Sequence, residues 1–71
     1  MKISKVWVDS EYVHILTEDG VELCERIADY PRLRHASSDA LQDYEIDRYG
    51  ISWRKLNEDL CFEYFMPLNN L

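Results

Sequence analysis

Glycine and proline are scarce in this 71-residue chain, two of each, which excludes collagen-like, linker-like and low-complexity architectures. Cysteine is equally scarce. Cys24 and Cys61 are the only two, whereas small disulfide-dependent domains usually carry four or more, so the pair is read as reduced, packed thiols. Cations are few, with eight Lys and Arg against fourteen Asp and Glu and a net charge of −6. A protein that tracks phosphates needs positive surface, so direct nucleic-acid binding is not expected, while a basic protein partner suits this charge. No stretch approaches the roughly 20 apolar residues of a membrane span. The segment Met1 to Asp9 lacks the apolar run of a secretory signal. The expectation is therefore a cytoplasmic protein with no membrane association.

What is present is a folding composition: 46% hydrophobic and 31% charged residues. The length allows one compact domain over residues 1–71, with a thin core. The first third alternates with period two. Val6 to Val8 reads as a strand, Asp9-Ser10-Glu11 as a polar break, and Tyr12 to Thr17 as a second strand rich in aromatic and β-branched residues. Asp19-Gly20 is a strong hairpin signal, because both residue types tolerate positive φ. Val21 to Ile27 then places Val21, Leu23, Glu25 and Ile27 on one face, and Glu22, Cys24 and Arg26 on the other. Across the Asp19-Gly20 hairpin, His14 would oppose a residue near Glu25.

The middle supplies a cover for the sheet. Pro31 suits a first helical position and opens a short turn through His35. Ser37 or Ser38 can cap a second helix over Asp39 to Asp43. Leu33, Ala36, Ala40, Leu41 and Tyr44 form its apolar stripe. Beyond them, Tyr44 to Asp47 and Ile51 to Trp53 read as short extended pieces on either side of Gly50, and Leu56 to Asp59 as a turn. Leu60 to Met66 is apolar nearly throughout and fits a buried strand or a final helix; Asp59 as a cap leans towards the helix. The predicted fold class is α+β, an antiparallel β-meander sheet with short helices packed on one face.

The order of landmarks resembles a known set. Asp19-Gly20 leads to Tyr30-Pro31-Arg32-Leu33, then to Tyr44-Glu45-Ile46, Gly50-Ile51-Ser52-Trp53, Leu56, Glu58-Asp59-Leu60 and Glu63. Taken together, these residues resemble a small bacterial family, domain of unknown function 2442, from about Ile3 to Phe65. The chain departs from it at Ala28 and Asp29, where a Ser and an aromatic are usual, and at Cys61 and Tyr64, where Ser and Gly are common. The resemblance implies a compact α+β fold and either a stand-alone role beside another small protein, as in toxin–antitoxin pairs, or an appended helix-turn-helix. It carries no activity, cofactor or catalytic residue.

The chemistry-bearing side chains form no constellation that outweighs a structural role. His14, His35, Cys24 and Cys61 lack metal-ligand spacing, so no metal or other cofactor is expected. Cys24 and His14 lie on adjacent predicted strands, yet Cys24 reads as packing. The carboxylates flank turns and strand ends, where solvation keeps them ordinary. Arg26, Arg32, Arg34 and His35 cluster, with the chain's own carboxylates or an acidic patch on a partner as their expected partners. No enzyme is expected.

Nine aromatics exceed what so small a core can hold. By alternation, Trp7 lies opposite Val6 and Val8, and Tyr12 lies opposite Val13 and Ile15. If the helices cover one face only, Trp7, Tyr12 and Leu16 remain near solvent, as in a protein–protein interface. Alternatively, Leu60 to Met66 covers that face. The candidate interface residues are Trp7, Tyr12, Arg32 and Arg34. The expected function is a non-enzymatic interaction domain, an antitoxin-like or adaptor partner of another small cytosolic protein, basic in charge, or else of a second copy of the chain. The alternative is a regulatory or sensory domain acting on DNA-linked control through a helix-turn-helix partner.

Overall fold

The computed structural model describes residues 1–71. Two three-stranded antiparallel sheets share one core. The first contains β1 (Ile3–Val8), β2 (Tyr12–Thr17) and β3 (Glu22–Arg26), in the order β1-β2-β3. Helices α1 (Pro31–Arg34) and α2 (Ser38–Gln42) follow. The second sheet contains β4 (Glu45–Ile46), β5 (Gly50–Trp53) and β6 (Glu58–Cys61), in the order β4-β5-β6. The fold is α+β, as the sequence predicts, with the expected single meander divided into two.

Local chemistry explains the helices. Pro31 opens α1 with its φ already set for a helix. The Ser37 hydroxyl caps α2 by accepting from the Ala40 N–H at 3.1 Å. Leu33 and Leu41 enter the core beside Val8, Val13 and Ile15. Both helices therefore cover the β1–β3 face that carries those three residues. Trp53, from the second sheet, is fully buried among them, and its indole N–H donates to the Leu41 carbonyl at 2.9 Å.

The β2–β3 register departs from the expectation by one residue. Thr17 and Val21 close the hairpin around Glu18-Asp19-Gly20, with the Thr17 N–H on the Val21 carbonyl at 2.9 Å. Gly20 takes φ 91°, the left-handed residue of a three-residue loop. That extra loop residue places His14 opposite Cys24, and Val13 opposite Glu25. Val21, expected on the inward face, lies exposed outside the strand, while Cys24 is buried.

The C-terminal third is also corrected. Glu58 and Asp59 lie in β6, not in a turn, and Asp59 caps no helix. The turn comes earlier, in a 3-10 segment over Arg54–Leu56 closed by Asn57 at φ 53°. Leu60 to Met66 is neither one strand nor one helix. It ends β6, makes a 3-10 turn over Phe62–Tyr64, and then pairs Met66 with Cys24. Two bonds hold that last pair, Cys24 N–H to the Met66 carbonyl at 2.8 Å and the reverse at 3.0 Å. Phe62 and Phe65 turn inward to the core. The segment thus closes the edge of β3 beside buried Cys24, while Trp7 and Tyr12 on the outer face of the first sheet stay half-buried.

Candidate functional site

The outer face of the first sheet is built around His14. Trp7 and His14 oppose each other across β1 and β2, and their rings stack with centroids 4.9 Å apart and planes 5° from parallel. Tyr12 flanks the imidazole at 5.8 Å. Lys5 places its ammonium 5.2 Å from the Trp7 ring centroid. Since paired residues of adjacent strands share a face, Trp7, His14, Cys24 and Met66 form one row across four segments. Both backbone bonds of Cys24 go to Met66, so His14 and Cys24 are a non-hydrogen-bonded pair, the closer of the two antiparallel spacings.

Asp9 anchors this row. One carboxylate oxygen accepts the Glu11 and Tyr12 N–H groups at 2.8 and 2.7 Å, and the other lies 2.7 Å from His14 Nε2. Partial burial raises the Asp9 carboxyl, but the bonds from His14, Tyr12 and Glu11 outweigh it and hold the group below its ordinary value. His14 Nδ1, on the other side of the ring, is buried without a hydrogen-bond partner. Carboxylate, imidazole and thiol therefore occur in order, but burial and the charges of Glu22, Glu25 and Asp9 push the Cys24 thiol up. That shift disfavours the thiolate form of Cys24.

Of the four residues predicted from the sequence as an interface, Trp7 and Tyr12 share this face, joined through His14. Both are half-buried. Arg32 and Arg34 are exposed on α1, and their partners differ from the expected carboxylates. Arg32 donates to the Asn57 carbonyl at 2.7 Å, and Arg34 donates to the Ala28 carbonyl at 3.4 Å. Arg26 alone of that cluster meets a carboxylate, Asp29 at 3.9 Å. Sequence reasoning missed the parts played by Asp9, His14 and Met66. The Asp9-x-Glu11-Tyr12 spacing carried a usable signal for the first, since an Asp that bonds the N–H two residues on initiates a turn.

The comparisons with known proteins bear on the family alone. The family model described as a protein of unknown function (DUF2442) matches residues 3–67. No curated protein and no solved structure matches the chain.

Proposed function

The chain belongs to the DUF2442 family, whose function is unknown, and we propose that it acts as a non-enzymatic protein-interaction domain. In this reading it is an antitoxin-like or adaptor partner of another small cytosolic protein. The observation that carries the proposal is the outer face of β1–β3. There Trp7 lies flat on His14 beside Tyr12, while both helices and the C-terminal turn bury their apolar residues elsewhere. A rigid, half-buried aromatic cluster presents large contact area at little entropic cost, as the central residues of protein interfaces do. The net charge of −6 favours a basic partner.

The test is a pull-down of the tagged chain from its native cell extract at low and high salt, run in parallel with Trp7→Ala. One stoichiometric basic protein, bound by the parent, released by salt and absent with the variant, supports the reading. A clean lane at both salts overturns it. A captured protein with a helix-turn-helix would instead favour a regulatory role in DNA-linked control.

A further inference from the structure

A second surface lies where the two sheets approach each other. β1 is the edge strand of the first sheet and β4 that of the second, and a groove of about 360 Å³ runs between them. Phe62 and Ile46 contribute its apolar lining, and Lys2, Lys5 and Arg48 its cations. The antiparallel alternation fixes which backbone groups face it. Asp9 N–H bonds the Tyr12 carbonyl, and Thr17 and Ile27 bond Val21 and Glu11. The bonded pairs of β1 and β2 are then Trp7 with His14 and Lys5 with Leu16, so Val6 turns its N–H and carbonyl outward along the free edge. By the same alternation, the Asp47–Gly50 bond leaves the Ile46 backbone pointing away from β5.

The distribution of charge around this groove is uneven. Elsewhere on the molecule every Lys and Arg has an internal oxygen partner. Arg26, Arg54 and Lys55 meet Asp29, Glu45 and Asp43, and Arg32 and Arg34 bond carbonyls. The three cations without an oxygen partner, Lys2, Lys5 and Arg48, all line the groove. Two acidic residues lie there as well. Asp47 already accepts the Tyr49 and Gly50 N–H groups, which leaves Glu18 as the only other carboxylate. On a chain of net charge −6, the groove is a local cationic exception beside a strand edge that is free at Val6, while the Val8 carbonyl further along accepts from the Gln42 amide at 2.7 Å.

We propose that this groove binds an extended, acidic peptide segment of a partner protein, which adds as a strand to the free edge of β1. Main-chain bonds to Val6 supply the pairing, exposed Ile46 takes an apolar side chain, and Lys2, Lys5 and Arg48 select acidic ones. The same lysines disfavour a second copy of this chain, because antiparallel pairing of two β1 edges would bring like charges together. This site shares Lys5 with the Trp7 face, since that ammonium lies over the Trp7 ring, but its other groups, Lys2, Arg48, Ile46 and the Val6 backbone, lie outside that face.

The test uses synthetic eight-residue peptides, blocked at both ends, that alternate valine with glutamate or valine with lysine. Amide hydrogen exchange and NMR shifts of the full chain are followed on titration. The glutamate peptide should slow exchange at the Val6 amide about tenfold or more, and its affinity should fall about tenfold between low and high salt. Arg48→Glu and Lys2→Glu, both at exposed positions, should each weaken it by a similar factor, whereas Trp7→Ala should not. N-methylation of alternate peptide amides should abolish the protection of Val6. Equal binding of the lysine peptide, no protection at Val6, or shifts confined to Trp7 and His14 would overturn the proposal.

Discussion

Trp7 and His14 face each other across the first two strands with their rings nearly parallel, 5° apart in orientation and 4.9 Å between centroids. The pair lies on the side of the sheet that neither helix covers. Its geometry is fixed from below by Asp9, whose carboxylate reaches His14 Nε2 at 2.7 Å. An aromatic surface held this firmly in a free domain is already organised for contact.

Removing Trp7 should cost little stability. Trp7→Ala forfeits one stacking contact and part of a half-buried ring, which predicts a loss of about 1–2 kcal/mol in urea unfolding. A loss on the order of 3–5 kcal/mol, the range for a core Trp, would show that Trp7 belongs to the core and not to an interface.

Asp9 should make the domain sensitive to acid. Its folded carboxyl titrates below its ordinary value of 3.8, so the folded state holds this proton less tightly than the unfolded chain. The stabilisation is present above about pH 4 and is lost as pH falls through the lower folded value. Asp9→Ala should therefore unfold more easily than the parent at pH 7, by about 1 kcal/mol for the lost turn bonds. The difference between the two proteins should shrink as pH falls below about 4 and through the lowered folded value, which thermal melts across the acid range will show.

Glu25 should have the opposite sign. It is buried on the core side of β3 and accepts a hydrogen bond from the Tyr30 hydroxyl. Desolvation raises its carboxyl above the ordinary 4.5, with the Asp29 charge adding and the Tyr30 bond subtracting. The folded state then favours the protonated form, so stability from this group is present below about pH 4.5 and declines as pH rises through the elevated value. Glu25→Gln should flatten that decline and melt no lower than the parent at pH 7. Tyr30→Phe should cost about 1–3 kcal/mol at neutral pH by leaving a buried carboxylate unpaired.

Gly50 should tolerate no side chain. A Cβ there would lie 2.1 Å from the Leu60 carbonyl oxygen, a backbone atom of the neighbouring strand β6. Gly50→Ala must force β5 and β6 apart, at a cost of about 3 kcal/mol or more. The control is Gly20→Ala, whose Cβ meets nothing within 4 Å. Its cost should be only that of an alanine at φ 91°, about 1–2 kcal/mol. Equal loss of stability in the two variants would contradict the steric account.

Trp53→Ala should be the most damaging change. It removes a fully buried ring and leaves the Leu41 carbonyl without its donor, which predicts a loss of at least about 3–5 kcal/mol. For so small a domain that approaches its whole stability. Circular dichroism should find the variant largely unfolded at 25 °C, with Trp53→Phe intermediate.

The sequence by itself determined the elements whose causes lie within a few residues. Alternation placed Val13 and Ile15 against the core and Trp7 and Tyr12 on the other face. Pro31 marked the start of the first helix and Ser37 or Ser38 that of the second, and the stripe from Leu33 to Tyr44 marked what they bury. These signals are local because a strand's pleat, a helix cap and a fixed proline φ act over one to four residues. Tertiary structure alone decided the rest. One extra loop residue, Glu18, shifted the hairpin so that His14 met Cys24, because register depends on loop length and not on alternation. Leu60 to Met66 divided into strand, turn and bridge because β5 and β3 each offered an open edge, and an apolar run carries no record of which edge will pair with it. Arg32 and Arg34 found carbonyls in place of carboxylates for a related reason. Long flexible cations bond whatever acceptor the finished fold brings near, and the Asn57 carbonyl, 25 residues along the chain from Arg32, is brought there only by folding.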